Sequence, residues 1–182
     1  MKEVPKPLYF YGLPRGHPPL TLFCTAAMEL HPLNALSPLD GRYHHQTRPL
    51  AGYFSEEALM RYRLYVEVEY LIALSDLNLP PLKPFSEEAR HWLRAQYGEF
   101  EQENAIWVKT KEAEVNHDVK AIEYYLKERM SQFAPNDLYA ELKPAREFVH
   151  FGLTSQDINN TALPLMLRDA LHQELLPVFQ QV

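Results

Sequence analysis

From Phe54 to Val182, apolar residues recur at spacings of three and four, and no run alternates convincingly as a half-buried strand would. This periodicity predicts an all-α chain, because a helix with one apolar stripe must cover that stripe with other helices. Ser55 reads as an N-cap, with Glu56 and Glu57 in the first turn, where a helix favours negative charge. Met60, Leu64, Val68 and Leu71 form the stripe of this first helix, Tyr62, Val66 and Ile72 widen it, and Pro80, Pro81 and Pro84 end it. Ser86, Glu87 and Glu88 repeat the start signal for a second helix through Trp92, Leu93, Tyr97, Phe100 and Ile106, with Gly98 inside it. A third helix is expected from about Asp118 to Phe133 on Val119, Ile122, Leu126, Met130 and Phe133, with Glu123 and Lys127 as an i,i+4 pair; Pro135 and Asn136 close it. A short helix over 144–151, with Pro144 at its first position, follows. The last element starts near Thr154, carries Leu167, Leu171, Leu175, Val178 and Val182, and is expected to kink at Pro164 and Pro177. The acidic residues read as solvated helix faces.

Residues 1–27 differ. Five of the fifteen prolines fall before position 20, together with Gly12 and Gly16, which predicts an irregular Pro-rich extension. Met28 opens a more regular sequence and is a candidate translation start. Leu20–Ala27 is short and apolar and follows Lys2, Lys6 and Arg15, as a signal peptide would, but Pro18 and Pro19 abut its very short core and the reading is against one. No apolar run approaches the roughly 18 residues of a membrane span. The single cysteine, Cys24, rules out an intrachain disulfide and fits a reducing cytosol. A net charge of −6 argues against a nucleic-acid partner and leaves room for a small anionic substrate. The final stripe reaches Val182 without a glycine cap, a basic last turn or a polar tail, so the sequence reads as an incomplete part of a longer helical protein.

Three segments could carry chemistry. Ser37–Tyr43 (SPLDGRY) is a turn sequence in which Gly41 permits unusual backbone angles and Arg42 and Tyr43 stand side by side. Arg offers a planar fork for phosphate or carboxylate, and Tyr a hydroxyl and a stacking face; a solvated surface turn fits the same composition. Asn116-His117-Asp118 precedes the third helix: Asn or Asp caps it, and His117 either binds an anion and moves a proton near neutral pH or is incidental. Thr154 and Ser155, behind Gly152, could hold a carboxylate at a helix start or serve as a simple N-cap. His150 could support that loop or merely pack. The adjacent His44 and His45 do not face one way, so no metal is expected, and there is no phosphate loop, cysteine metal motif or nucleophile elbow.

Taken together, SPLDGRY (37–43), VKTKEAEVNHDVKAIEYYLKE (108–128) and EFVHFGLTSQDINN (147–160) resemble the adenylosuccinate lyases of the fumarase/aspartase superfamily, from Met28-Glu29-Leu30 to Val182. The resemblance implies an N-terminal helical domain (28–152) and the first part of a long central helical bundle (153–182). It implies two β-eliminations of fumarate, from adenylosuccinate and from succinylated aminoimidazole carboxamide ribotide, in a cytoplasmic homotetramer with sites shared between subunits and no metal or organic cofactor. Arg42, Tyr43, Asn116, His117, Asp118, Thr154 and Ser155 would then bind substrate, with His117 assisting the acid–base step and Thr154 and Ser155 holding a succinyl carboxylate. The principal catalytic histidine and serine of the family lie beyond the positions matched here, so the 182 residues alone are expected to be inactive. Many relatives carry an Arg and one or two Thr before the NHD motif, where this chain has Ala113, Glu114 and Val115. Another lyase of the superfamily, or a non-catalytic partner-binding helical chain, are the alternatives.

Overall fold

A computed structural model describes residues 37–181. The extension over 1–27, the start at Met28 and the last stripe position, Val182, lie outside the described residues. Within them six helices of ten residues or more follow one another, with no strand: α1 (Glu56–Asp76), α2 (Glu87–Gly98), α3 (Gln102–Val115), α4 (Asp118–Glu128), α5 (Asn136–Ala145) and α6 (Ser155–Ala170). Short helical turns over 44–54 lead into α1.

α1 is the centre. Ser55 accepts the Ala58 N–H at 3.1 Å, Glu56 and Glu57 occupy the first turn, and Leu64, Val68 and Leu71 are fully buried. Helices α2, α4 and α6 all pack on α1, and α3 and α4 form a hairpin. Leu93, Ile122, Leu126, Met130 and Leu142 fill the space between them. Each such side chain contributes roughly 1.5–3 kcal/mol on burial.

Several sequence expectations need correction. The second helix is two helices. It ends at Gly98, the poorest helix former short of proline, and the Asn104 side chain accepts the Glu101 N–H at 2.9 Å to start α3. Phe100, in the break, is buried in the core. Pro135 and Asn136 do follow the third helix but also open α5, whose Leu138, Leu142 and Ala145 face the core. Pro144 therefore lies in the last turn of an α-helix rather than the first, and a 3-10 turn over Arg146–Phe148 follows. Phe133 is exposed beneath the Arg129 guanidinium rather than buried in the α4 stripe. α6 runs unbroken through Pro164; the departure from α geometry comes at a π-helical turn over Leu171–Leu175, and Pro177 sits at the start of the short helix after it. The outer face of this element, including Leu163, Leu167, Leu171, Leu175 and Val178, is exposed.

Candidate functional site

Asn116 and His117 of the NHD segment form the two-residue joint of the α3–α4 hairpin. Asn116 takes a left-handed conformation (φ 54°) that asparagine tolerates better than most residues, and its N–H closes α3 on the Glu112 carbonyl at 2.7 Å. The N-cap of α4 is neither Asn116 nor Asp118 but His117, whose Nδ1 accepts the Lys120 N–H at 3.1 Å. That bond occupies the Nδ1 lone pair, so in the neutral ring Nε2 carries the hydrogen. Nε2 lies 3.2 Å from Ser155 Oγ and donates to it. The segment lines an open cleft of about 480 Å³ with Lys109, Glu112 and Ala113.

Asp118 is the first residue of α4. It accepts its neighbour Val119's N–H at 2.8 Å and pairs with Arg63 of α1 at 2.7 Å. Partial burial opposes ionisation of Asp118, but the Val119 N–H and the Arg63 guanidinium outweigh it and hold the carboxyl below its ordinary value. Arg63 Nε also donates to Asn159 Oδ1 on α6 at 3.0 Å, so one buried guanidinium ties α1, α4 and α6 together. The cation beside Asp118 thus comes from α1, not from positions 113–115. Ala113 lines the cleft, and Glu114 pairs with Lys111 at 2.5 Å.

Thr154 caps α6. Asp157 accepts both its N–H, at 2.7 Å, and its hydroxyl, at 2.8 Å, and these two bonds lower the Asp157 pKa. The Thr154 hydroxyl therefore spends its only proton within the chain, while the Ser155 hydroxyl, as acceptor from His117, keeps its own proton free. The α6 N-terminus adds a favourable field for an anion.

Arg42 and Tyr43 stand elsewhere. A chain of turn hydrogen bonds over 37–43 presents both exposed, with the guanidinium 4.7 Å from the Tyr43 ring centre. Gly41 is buried and is not among the positive-φ residues; Gly152 (φ 73°) is the glycine that uses that freedom. No hydrogen bond or ion pair joins Arg42 or Tyr43 to His117, Asp118, Thr154 or Ser155 among the described residues. None of these residues forms a cluster of three or more His, Cys, Asp or Glu side chains able to hold a metal.

The reading of acidic residues as solvated faces fails at two places. Glu67 is fully buried against His150, Oε1 to Nδ1 at 2.5 Å, and Glu123 is buried beside Lys120 at 2.7 Å and the His150 Nε2 at 3.9 Å. Arg63 and Glu67 were legible only as charged residues inside an apolar stripe, one turn apart.

Comparison with known proteins completes the picture. The lyase family matches over residues 41–182. An adenylosuccinate lyase of Dictyostelium discoideum is 45% identical over 159 residues, covering 86% of this chain and 33% of the relative. Those of Haemophilus influenzae and Escherichia coli K12 are 42% and 40% identical over 156 residues, covering 85% of this chain and 33% of each relative. The chain thus spans about a third of the length of these relatives.

Proposed function

Because this chain belongs to the lyase family, we propose that it forms one part of an adenylosuccinate lyase active site, acting in a longer protein on adenylosuccinate and on succinylated aminoimidazole carboxamide ribotide. The observation that carries the reading is the 3.2 Å contact of His117 Nε2 with Ser155 Oγ, which joins two of the three recognised segments.

Both reactions break a C–N bond by removing a proton beside a carboxylate while the departing nitrogen is protonated. Charge grows on the carboxylate, so fixed donors around it lower the barrier most. Ser155 and the first-turn N–H groups of α6 supply such donors for a succinyl carboxylate; Thr154 joins them by turning its hydroxyl from Asp157. His117, its tautomer set by the α4 cap, assists proton transfer by turning its one N–H from Ser155 to the substrate. Asn116 and Asp118 fix the cleft floor. Arg42 and Tyr43 bind the ribotide phosphate from a turn that other chain segments bring to the site. Residues 28–152 form the N-terminal helical domain and 153–182 open the central bundle of a cytoplasmic homotetramer, with the principal acid and base supplied by segments beyond those described. Among the described residues no helix is long and apolar enough to cross a membrane.

The test is fumarate release from adenylosuccinate, followed by ultraviolet absorbance, with the gene product at its full natural length. The expected outcome is turnover that His117→Ala lowers at least about a hundredfold, the scale of a lost acid–base group. No turnover by the intact protein refutes the substrate; undiminished turnover by the variant refutes the role of His117.

A further inference from the structure

The buried carboxylate of Glu67 has no part in the chemistry just described, and its Oε2 is without a hydrogen-bond partner. An unpartnered buried carboxylate oxygen is destabilising, so the position calls for a role that offsets the cost. Its other oxygen grips His150, and His150 holds a left-handed backbone (φ 62°), uncommon outside glycine although asparagine, aspartate and histidine adopt it more than most. Two residues on, Gly152 is also left-handed, and Tyr70 anchors the intervening Phe151 carbonyl at 2.8 Å. This loop delivers Thr154 and Ser155 to the start of α6.

The same imidazole reaches the other half of the site. Its Nε2 faces Glu123, and Glu123 grips Lys120, whose backbone N–H caps onto His117 Nδ1. A closed ring of contacts therefore runs from Glu67 through His150, Glu123 and Lys120 to His117, then to Ser155 and back along the loop to His150.

We propose that Glu67 is a positioning residue for the His117–Ser155 pair, acting through His150, which it locks into the left-handed conformation that sets the 150–155 loop. The proposal rests on the reading of that pair as part of a lyase site. Burial pushes the Glu67 carboxyl above its ordinary range, and the His150 hydrogen bond opposes that shift without cancelling it.

The test uses the full-length gene product with Glu67→Gln, His150→Gln and the double variant. Glu67→Gln is expected to lower kcat about tenfold with little change in KM, the scale of a small misplacement of catalytic groups. The double variant is expected to be no worse than the worse single one, because both break one link. Amide hydrogen exchange, read by mass spectrometry, is expected to rise over 150–155 in both single variants and to stay unchanged in α2 and α5. If Glu67→Gln fails to fold, His150→Gln, at a partly exposed side chain, tests the same link. Additive losses in kcat, or uniform acceleration of exchange, would overturn the proposal. If the wild-type protein releases no fumarate, the lyase reading falls while the exchange pattern still decides the positioning claim.

Discussion

Replacing Arg63 by methionine isolates the joint that holds the candidate site together. The side chain is only 10% exposed, donates to Asn159 at 3.0 Å and pairs with Asp118 at 2.7 Å. Methionine keeps the buried stem and removes both polar contacts. A broken buried ion pair costs about 3–5 kcal/mol, but the Asp118 side chain is 48% exposed and keeps its Val119 N–H, so water and the backbone take over part of the guanidinium's role. The expected loss is therefore about 2 kcal/mol, within the range for hydrogen bonds to charged groups after solvent screening. Urea unfolding followed by far-ultraviolet circular dichroism measures it. The pH dependence has a definite sign. Asp118 has a lowered pKa in the folded state, so its contribution is complete above its ordinary 3.8 and is lost as pH falls through the folded value. The gap between wild type and variant should be full at pH 7 and narrow below 3.8. A loss under about 0.5 kcal/mol at pH 7, or a gap that does not narrow in acid, would refute the claim that this guanidinium joins the helices through charge.

Other outcomes follow from the same geometry. Ser86→Ala removes the α2 cap on Ala89 and a 2.8 Å bond to Glu141, and should cost about 1–2 kcal/mol in the same urea assay. Glu69 has a lowered pKa, first through its hydrogen bond from Arg94; its stabilising share is present above 4.5 and lost as pH falls below, so Glu69→Gln should flatten the acid decline of thermal stability in that window. Leu126→Ala, at a fully buried position between α4 and its neighbours, should destabilise by about 2–5 kcal/mol on urea unfolding. The 182 residues expressed alone should release no fumarate from adenylosuccinate, since the resemblance puts the principal acid and base in other segments.

What the sequence made legible was local. Ser55, Ser86 and Thr154 cap helices through bonds within three residues, and such signals survive any tertiary context. Asn116-His117-Asp118 and Thr154-Ser155 stood out because polar residues interrupt apolar periodicity there, though the cap on α4 passed to the histidine once asparagine was needed to end α3. What stayed hidden were signs that point two ways or reach far. Pro135-Asn136 stops one helix and starts another, and only the core-facing Leu138 and Leu142 decide for both. Arg63 meets Asn159 across 96 residues and Glu67 meets His150 across 83, distances that no local spacing encodes. An acidic residue within an apolar stripe is the one local trace of such a contact.

The docking of α6 on α1 also sets an order of events in folding. The α3–α4 hairpin closes over a two-residue joint, whereas the contacts of α6 with α1 span up to 107 residues, as between Tyr62 and Asp169. Loop-closure entropy weighs against such long pairings until both partners exist. On that ground the α3–α4 hairpin, with His117, is expected to close before α6 brings Ser155 to it. By the same route, a lifting of α6 from α1 would separate Ser155 from His117 and leave the hairpin folded, so the pairing of these two residues depends on the docking of α6.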